Sequence, residues 1–170
     1  MGPMAHSLDD SLPSGRWILY FHPAKENRWH IDTFKKILTV TTLRDLAHMF
    51  RAIQSNDWIR GKFFFTPESI PPLMENSKNI RGGSYSIRVD RSFADSIMKT
   101  YIIAAVMKKI TVNSEDEISC VRITPRRDFN ILQIWNRDCQ KFCNPTGLVV
   151  LDSRISHDEV KYVPHVEKKI

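Results

Sequence analysis

No stretch of this chain approaches the ~18 consecutive apolar residues that a helix needs to cross a membrane, so a helical span is excluded. The N-terminal residues carry no apolar core of the kind that directs secretion, and secretion is not expected. Cysteine is scarce: Cys120, Cys139 and Cys143 are an odd number with no C-x-x-C. That fits free thiols in a reducing compartment better than a disulfide framework; the cytoplasm is expected, with the nucleus as a second address. Cys139 and Cys143 are followed by no second pair of Cys or His at zinc-finger distance, so no metal site is expected. Gly82-Gly83 is not followed by Lys-Ser or Lys-Thr, which removes a phosphate-cradling loop. Cys120 sits in an apolar strand pattern far along the chain from His157 and His165, the setting of a small core residue. No catalytic constellation remains, and neither an enzyme nor a cofactor is expected. Internal repeats and low-complexity segments are also missing.

What is present is one domain's worth of chain: 170 residues, enough to bury roughly two-thirds of the unfolded surface without staples. Hydrophobic residues at 42% and charged residues at 26% are those of an ordinary globular protein. The formal net charge of +6 and a pI near 9.3 favour an anionic partner: nucleic acid, nucleotide or an acidic surface. Residues 1–15 are polar, hold Pro3, Pro13 and Gly15, and read as a flexible arm; Gly2-Pro3 resembles the remnant of a cleaved tag. Residues 16–170 form the domain.

Short strand patterns then interleave with helical ones. Arg16 to His22 is rich in aromatic and branched residues and stops at Pro23. Thr33 to Val40 is a second strand, and Thr41-Thr42 offers an N-cap for a helix whose stripe is Leu43, Leu46, Phe50 and Ile53. Lys62 to Thr66 is an apolar strand ended by Pro67. Residues 67–83 form a loop long enough to be functional or disordered, and its hydrophobic residues and carboxylate favour function. Ser84 to Val89 alternates with period two, and Phe93 to Ile110 is a helix apolar round most of its circumference. Ile118 to Pro125 and Phe129 to Trp135 form a hairpin with the basic tip Arg126-Arg127-Asp128. Asp138 to Asn144 reads as a short helix, Leu148 to Leu151 and Glu159 to Pro164 as the last strands. The fold class is α+β: one curved antiparallel sheet of about eight strands, with three helices packed on one face and the other face free to bind.

The candidate chemistry lies in a few side chains. Trp29 stands in a polar loop between Arg28 and His30, where an indole either stacks on something flat or lids the core. Glu75, in a proline-bounded loop, is either a solvated charge or an acceptor of two parallel hydrogen bonds from a guanine edge. Arg122, Thr124 and Arg126 share strand parity, and Arg126 with Arg127 suits either phosphate or a solubilising turn. Asp116 and Glu117 read as a solvated acidic turn.

Together, Trp17-x-Leu19-Tyr20-Phe21, Trp29, the helix from Leu43, Ile70-Pro71-Pro72-Leu73-Met74-Glu75-x-x-x-Asn79-x-Arg81-Gly82-Gly83 and Ile134-Trp135 resemble the eukaryotic translation initiation factor 4E family, the mRNA cap-binding proteins. The resemblance runs through about residues 16–136. It implies helices on the convex side of the sheet and a cap slot on the concave side. It also implies a 7-methylguanine held between Trp29 and the position of Met74, where the family carries a second tryptophan. Glu75 would bind the base N1 and N2 protons, Trp135 would touch the N7-methyl, and Arg126 would bind phosphate. A further basic position reads as Ile131, so that role passes to Arg122, Arg127 or Arg137, or is lost. An additional aromatic, Trp58 or Phe129, could compensate for Met74.

The resemblance further implies a partner helix, from an initiation scaffold protein or a repressor, docked on the convex helices. The family's anchoring tryptophan there aligns with Ala47, leaving Leu43, Leu46 and Met98 as a possible groove. The departures imply a divergent protist paralogue, in whose lineages the cap carries extra methyl groups. Arg137, His165, Lys168 and Lys169 are candidates to meet the following nucleotides. The expected protein is a monomer that binds capped mRNA in translation initiation or its regulation. Two other readings stay open: an interaction scaffold that has lost useful cap affinity through Met74 and Ile131, and a basic domain binding single-stranded RNA without cap dependence.

Overall fold

The computed structural model describes residues 7–166. Seven strands pair antiparallel into a single curved sheet: β1 (Trp17–Pro23), β2 (Lys35–Val40), β3 (Gly61–Pro67), β4 (Gly83–Asp90), β5 (Ile118–Pro125), β6 (Phe129–Asn136) and β7 (Lys161–Pro164), in the order β2-β1-β3-β5-β6-β4-β7. Strand alternation sorts side chains onto two faces. Trp17 and Leu19 of β1, Phe63 and Phe65 of β3, Tyr85 and Ile87 of β4, and Leu132 and Ile134 of β6 point into the main core. Two helices cover that face: α1 (Leu43–Ala52) and α2 (Ala94–Val106).

Helix α1 starts where Thr42 and Asp45 cap one another. The Asp45 amide donates to Thr42 Oγ1 at 3.2 Å, and the Thr42 amide donates to Asp45 Oδ2 at 3.1 Å. It buries Leu46 and Met49. Helix α2 buries most of its length and stops before Lys108, whose φ of 57° is left-handed and cannot continue a helix. That ends it short of the expected Ile110.

Three expectations are corrected. Leu148 to Leu151 is no strand: Leu148 makes a lone bridge to Thr111, and the Val149 amide donates to Ile110 O, because β7 already occupies the edge of β4. Asp138 to Asn144 is no helix: the Asp138 carboxylate accepts from the amides of Gln140 and Lys141, a local turn that competes with helical bonding. Residues 7–15 do not form a free arm. Leu12 is buried against the core, Arg44 N donates to Leu8 O, Leu12 N donates to Thr41 O, and Ser14 Oγ bridges Trp17 Nε1 and Val106 O. Residues 1–6 of the expected arm lie outside the described residues.

On the open face a second, smaller apolar cluster forms from Phe34, Phe64, Cys120 and Trp135, flanked by Tyr20, Leu73 and Met74. It positions the site.

Candidate functional site

The loop between β3 and β4 is held from inside. The side chain of Asn79, fully buried, donates to Pro71 O at 2.9 Å and Leu73 O at 2.8 Å, and Lys78 Nζ donates to Ser69 O at 2.7 Å. The chain therefore turns tightly enough to lay Leu73, Met74 and Glu75 along the open face. Gly82 closes the loop against β6, where a Cβ would stand 1.8 Å from Asn136 O, so only glycine fits.

A cavity of about 190 Å³ lies there, lined by Trp29, Met74, Glu75, Arg122, Trp135 and Phe64, with Pro72 and Leu73. Five residues expected from sequence to bind one ligand thus converge. Trp135 is buried and meets Phe64 edge-on at 6.0 Å, while its indole Nε1 has no hydrogen-bond partner among the described residues. Trp29 is 45% exposed. Its loop is pinned by the Arg28 carbonyl, which accepts from His22 Nε2 at 2.9 Å and from Thr33 Oγ1 at 3.1 Å. One Trp29 face lies flat on the His22 imidazole, 4.4 Å between centroids and 7° from parallel. Lys62 Nζ is 5.0 Å and the Arg122 guanidinium 5.4 Å from the same indole.

The electrostatics point to an anion. Burial holds Arg122 down to about 10, and Arg126 beside it pushes the same way. Lys62 is lowered by burial first and then by Arg122 and Arg126. The cationic forms of the two are crowded together, and a phosphate would relieve that repulsion.

Other expected residues lie elsewhere. Arg126 and Arg127 are exposed on the hairpin tip beyond the end of β5, their carbonyls held by Arg91 Nη2, so Arg126 adds charge nearby but does not line the cavity. Arg137 pairs with Glu117 at 2.9 Å and lines a separate cleft beside Arg81 and Lys141. Lys168 and Lys169 lie outside the described residues. Trp58 is in the core, its Nε1 donating to Asp95 at 2.7 Å, and cannot compensate for Met74; Phe129 lies under Arg88, away from the cavity. On the helical face Leu46 and Met98 are buried, and only Leu43 and Ala47 keep partial exposure. Both buried side chains point inward because the helical stripe that meets the sheet must include them.

His165 corrects another expectation. Its Nδ1 lies 2.7 Å from Asn79 O, a pure acceptor, so Nδ1 carries the proton; Ser84 Oγ then donates to Nε2 at 2.9 Å. The ring meets Trp135 edge-on at 5.1 Å. With both nitrogens engaged, His165 clasps the base-side loop to β4 and is not free to meet a nucleotide. Burial, helped by Arg122, holds its imidazole below the ordinary 6.5, although the bond to Asn79 opposes the shift. Between that lowered value and 6.5 the unfolded chain takes up a proton that the folded chain resists, so the folded chain is expected to lose stability as the pH falls from neutrality through 6.5 toward that lowered value. Thermal unfolding of His165→Gln across the same range should show a shallower acid loss. An equal loss in both proteins would show that His165 is not the titrating group.

Asp116, expected in a solvated turn, is 4% exposed and accepts from Tyr85 OH at 2.7 Å and Asn136 Nδ2 at 2.9 Å. Burial raises its carboxyl.

A model of the eukaryotic initiation factor 4E family matches residues 14–165. The chain belongs to that family. Among its relatives, eukaryotic translation initiation factor 4E-3 of Caenorhabditis elegans is 22% identical over 74% of this chain, and the initiation factor 4E of Candida albicans is 20% identical over 75%. The chain spans 53% and 65% of those two proteins. The fold is that of solved family members. The C. elegans 4E-3 complex with the 4E-binding protein Mextli and a cap analogue superposes with a TM-score of 0.67 at 24% identity, covering 77% of this chain and 76% of that one. Ascaris suum 4E-3 with an m7G cap gives 0.62 at 21%, covering 75% and 73%. A schistosome factor 4E with m7GpppA and a 4E-binding protein gives 0.64 at 19%, covering 73% and 70%.

Of the residues around the cavity and Trp29, sequence reasoning missed Lys62, His22 and Phe64. The parity of Lys62 and Phe64 on one strand was visible, but not that this side of β3 faces Trp29.

Proposed function

We propose that this chain binds the 7-methylguanosine 5′ cap of mRNA, without catalysis, in translation initiation or its regulation. The observation that carries the reading is the convergence of Trp29, Trp135 and Glu75 on one cavity, with Arg122 and Lys62 at its side. At about 190 Å³ the cavity suits one flat base, with the phosphates outside it, whereas drug-sized sites run to roughly 300–1,000 Å³. Methylation at N7 makes guanine cationic, and an indole face then adds about 0.5–2 kcal/mol of cation–π attraction. The same charge makes the N1 and N2 hydrogens better donors to Glu75. Lys62 and Arg122 take the phosphates. Relatives solved with caps and with 4E-binding proteins support the reading. A partner helix on α1 would meet Leu43 and Ala47 without a large aromatic anchor, and so would bind weakly.

The test is a tryptophan-fluorescence titration with 7-methyl-GTP. Saturable quenching, stronger than with GTP, supports the proposal. Absence of quenching up to millimolar ligand, or equal affinity for GTP, would leave the family fold as an interaction scaffold. Met74 presents one thioether where a second indole would complete the sandwich. Met74→Trp is expected to tighten 7-methyl-GTP binding by about 1–3 kcal/mol, roughly 5- to 150-fold. Unchanged affinity in the same titration would mean that Met74 does not face the base.

A further inference from the structure

The open face of the sheet does not end at the cavity. Strand register places Phe64, Arg122, Gln133, Ser86 and Lys161 in one row across β3, β5, β6, β4 and β7, all on the cavity's side. Gln133 Nε2 donates to Ser86 Oγ at 3.4 Å, which confirms the shared face, and Gln133 Oε1 has no partner among the described residues. One row further along, Arg88 lies opposite Ile131 and sets its guanidinium 3.8 Å over the Phe129 ring. Among the described residues neither α-helix covers this side; Lys161 and Arg88 are exposed, and Gln133, Ser86 and Phe129 are partly so.

We infer that this lane is the path of the RNA that follows the cap. The inference rests on the cap reading and extends it from a nucleotide to a strand. From Arg122 to Lys161 is three interstrand steps of about 4.8 Å, about 14 Å in all. At roughly 3.4 Å per nucleotide of a stacked strand, that seats about four nucleotides. Arg122 and Lys161 meet phosphates at the two ends of the row. The partly exposed Ser86 hydroxyl accepts from Gln133 Nε2, and its own hydrogen is left to donate to a base oxygen or a 2′-hydroxyl. The Arg88–Phe129 pair is a flat, cationic platform of the kind on which any base stacks, so the lane selects RNA without selecting its sequence. Asp90, Asp128, Asp158 and Glu159 line the same cleft as Arg88, Phe129 and Lys161 and keep a phosphate chain off its floor, so the strand is held at the exposed Arg88 and Lys161 side chains and turns outward at the edge of the sheet.

The experiment compares 7-methyl-GTP, a capped RNA oligonucleotide and the same oligonucleotide uncapped, by fluorescence titration at two salt concentrations, with the intact chain. The capped RNA should bind roughly tenfold tighter than 7-methyl-GTP at low salt, with an affinity that falls more steeply with salt, by about 0.7 in log–log slope for each phosphate held. Arg88→Glu combined with Lys161→Glu, both exposed positions, should erase that advantage and leave 7-methyl-GTP binding unchanged. If the capped RNA binds no tighter than 7-methyl-GTP, or if the doubly substituted chain keeps the advantage, the lane is overturned and the cap reading survives. If 7-methyl-GTP fails to bind while uncapped RNA binds and loses affinity in the doubly substituted chain, the lane stands and the cap reading falls. Failure of all three ligands overturns both.

Discussion

Glu75→Gln is expected to weaken 7-methyl-GTP binding about a hundredfold, because two hydrogen bonds to a charged acceptor, each worth about 1.5–3 kcal/mol, become at most one to a neutral amide. Discrimination between 7-methyl-GTP and GTP should shrink with it, since the charge that favours the cationic base is gone. The side chain is exposed, so thermal unfolding should not move. Fluorescence titration with both nucleotides, alongside a melting curve, checks the claim. A loss below about threefold would show that the carboxylate merely stands at the rim of the cavity and does not hold the base.

Asn136→Ala is expected to cost about 3–5 kcal/mol of folding stability, by the mechanism of orphaned buried polar groups. Asn136 is fully buried at the end of β6, and its amide is a four-way junction. Nδ2 donates to Asp116 Oδ1 and to Phe142 O, each at 2.9 Å. Oδ1 accepts from Tyr162 OH at 2.7 Å and from the Gly83 amide at 3.0 Å. Alanine leaves a buried carboxylate short of a donor, and a phenol and an amide short of an acceptor. For a chain of this size the melting temperature should fall by roughly 10 °C. Cap affinity should fall as well, since Gly83 ends the loop that carries Met74 and Glu75. Asp116→Asn, which keeps an acceptor of nearly the same shape, should cost less. A melt within about 2 °C of the parent for Asn136→Ala would mean that the junction is not closed in solution.

These two side chains mark the boundary of what was legible. Glu75 stood out in the chain because its neighbours in sequence framed it: two prolines before, Asn79 and the glycine pair after. Asn136 and Asp116 did not, because the Tyr85 hydroxyl, the Tyr162 hydroxyl and the Gly83 amide that they serve arrive from other strands. Asp116 lay in an acidic stretch that reads as solvent-exposed by composition, yet β4 and β6 close over it. The same holds on the helices. A stripe of Leu43, Leu46, Phe50 and Ile53 is visible in α1, but only docking on the sheet shows that Leu46 is spent on the core while Leu43 keeps some surface.

Local patterning alone specified the α+β class, all seven strands to within two residues and both helices, while the family resemblance grouped Trp29, Met74, Glu75 and Trp135 as one site. Alternation of period two, a helical period near 3.6 and proline stops are written into neighbouring residues, and they need no partner to be read. Tertiary structure alone decided that Arg122 and not Arg126 lines the cavity, that Lys62 and His22 flank Trp29, that His165 clasps a loop, and that a polar lane leads from Arg122 to Lys161. Each of these depends on which strands pair and in what register, and a shift of one residue would turn every side chain of a strand to the opposite face.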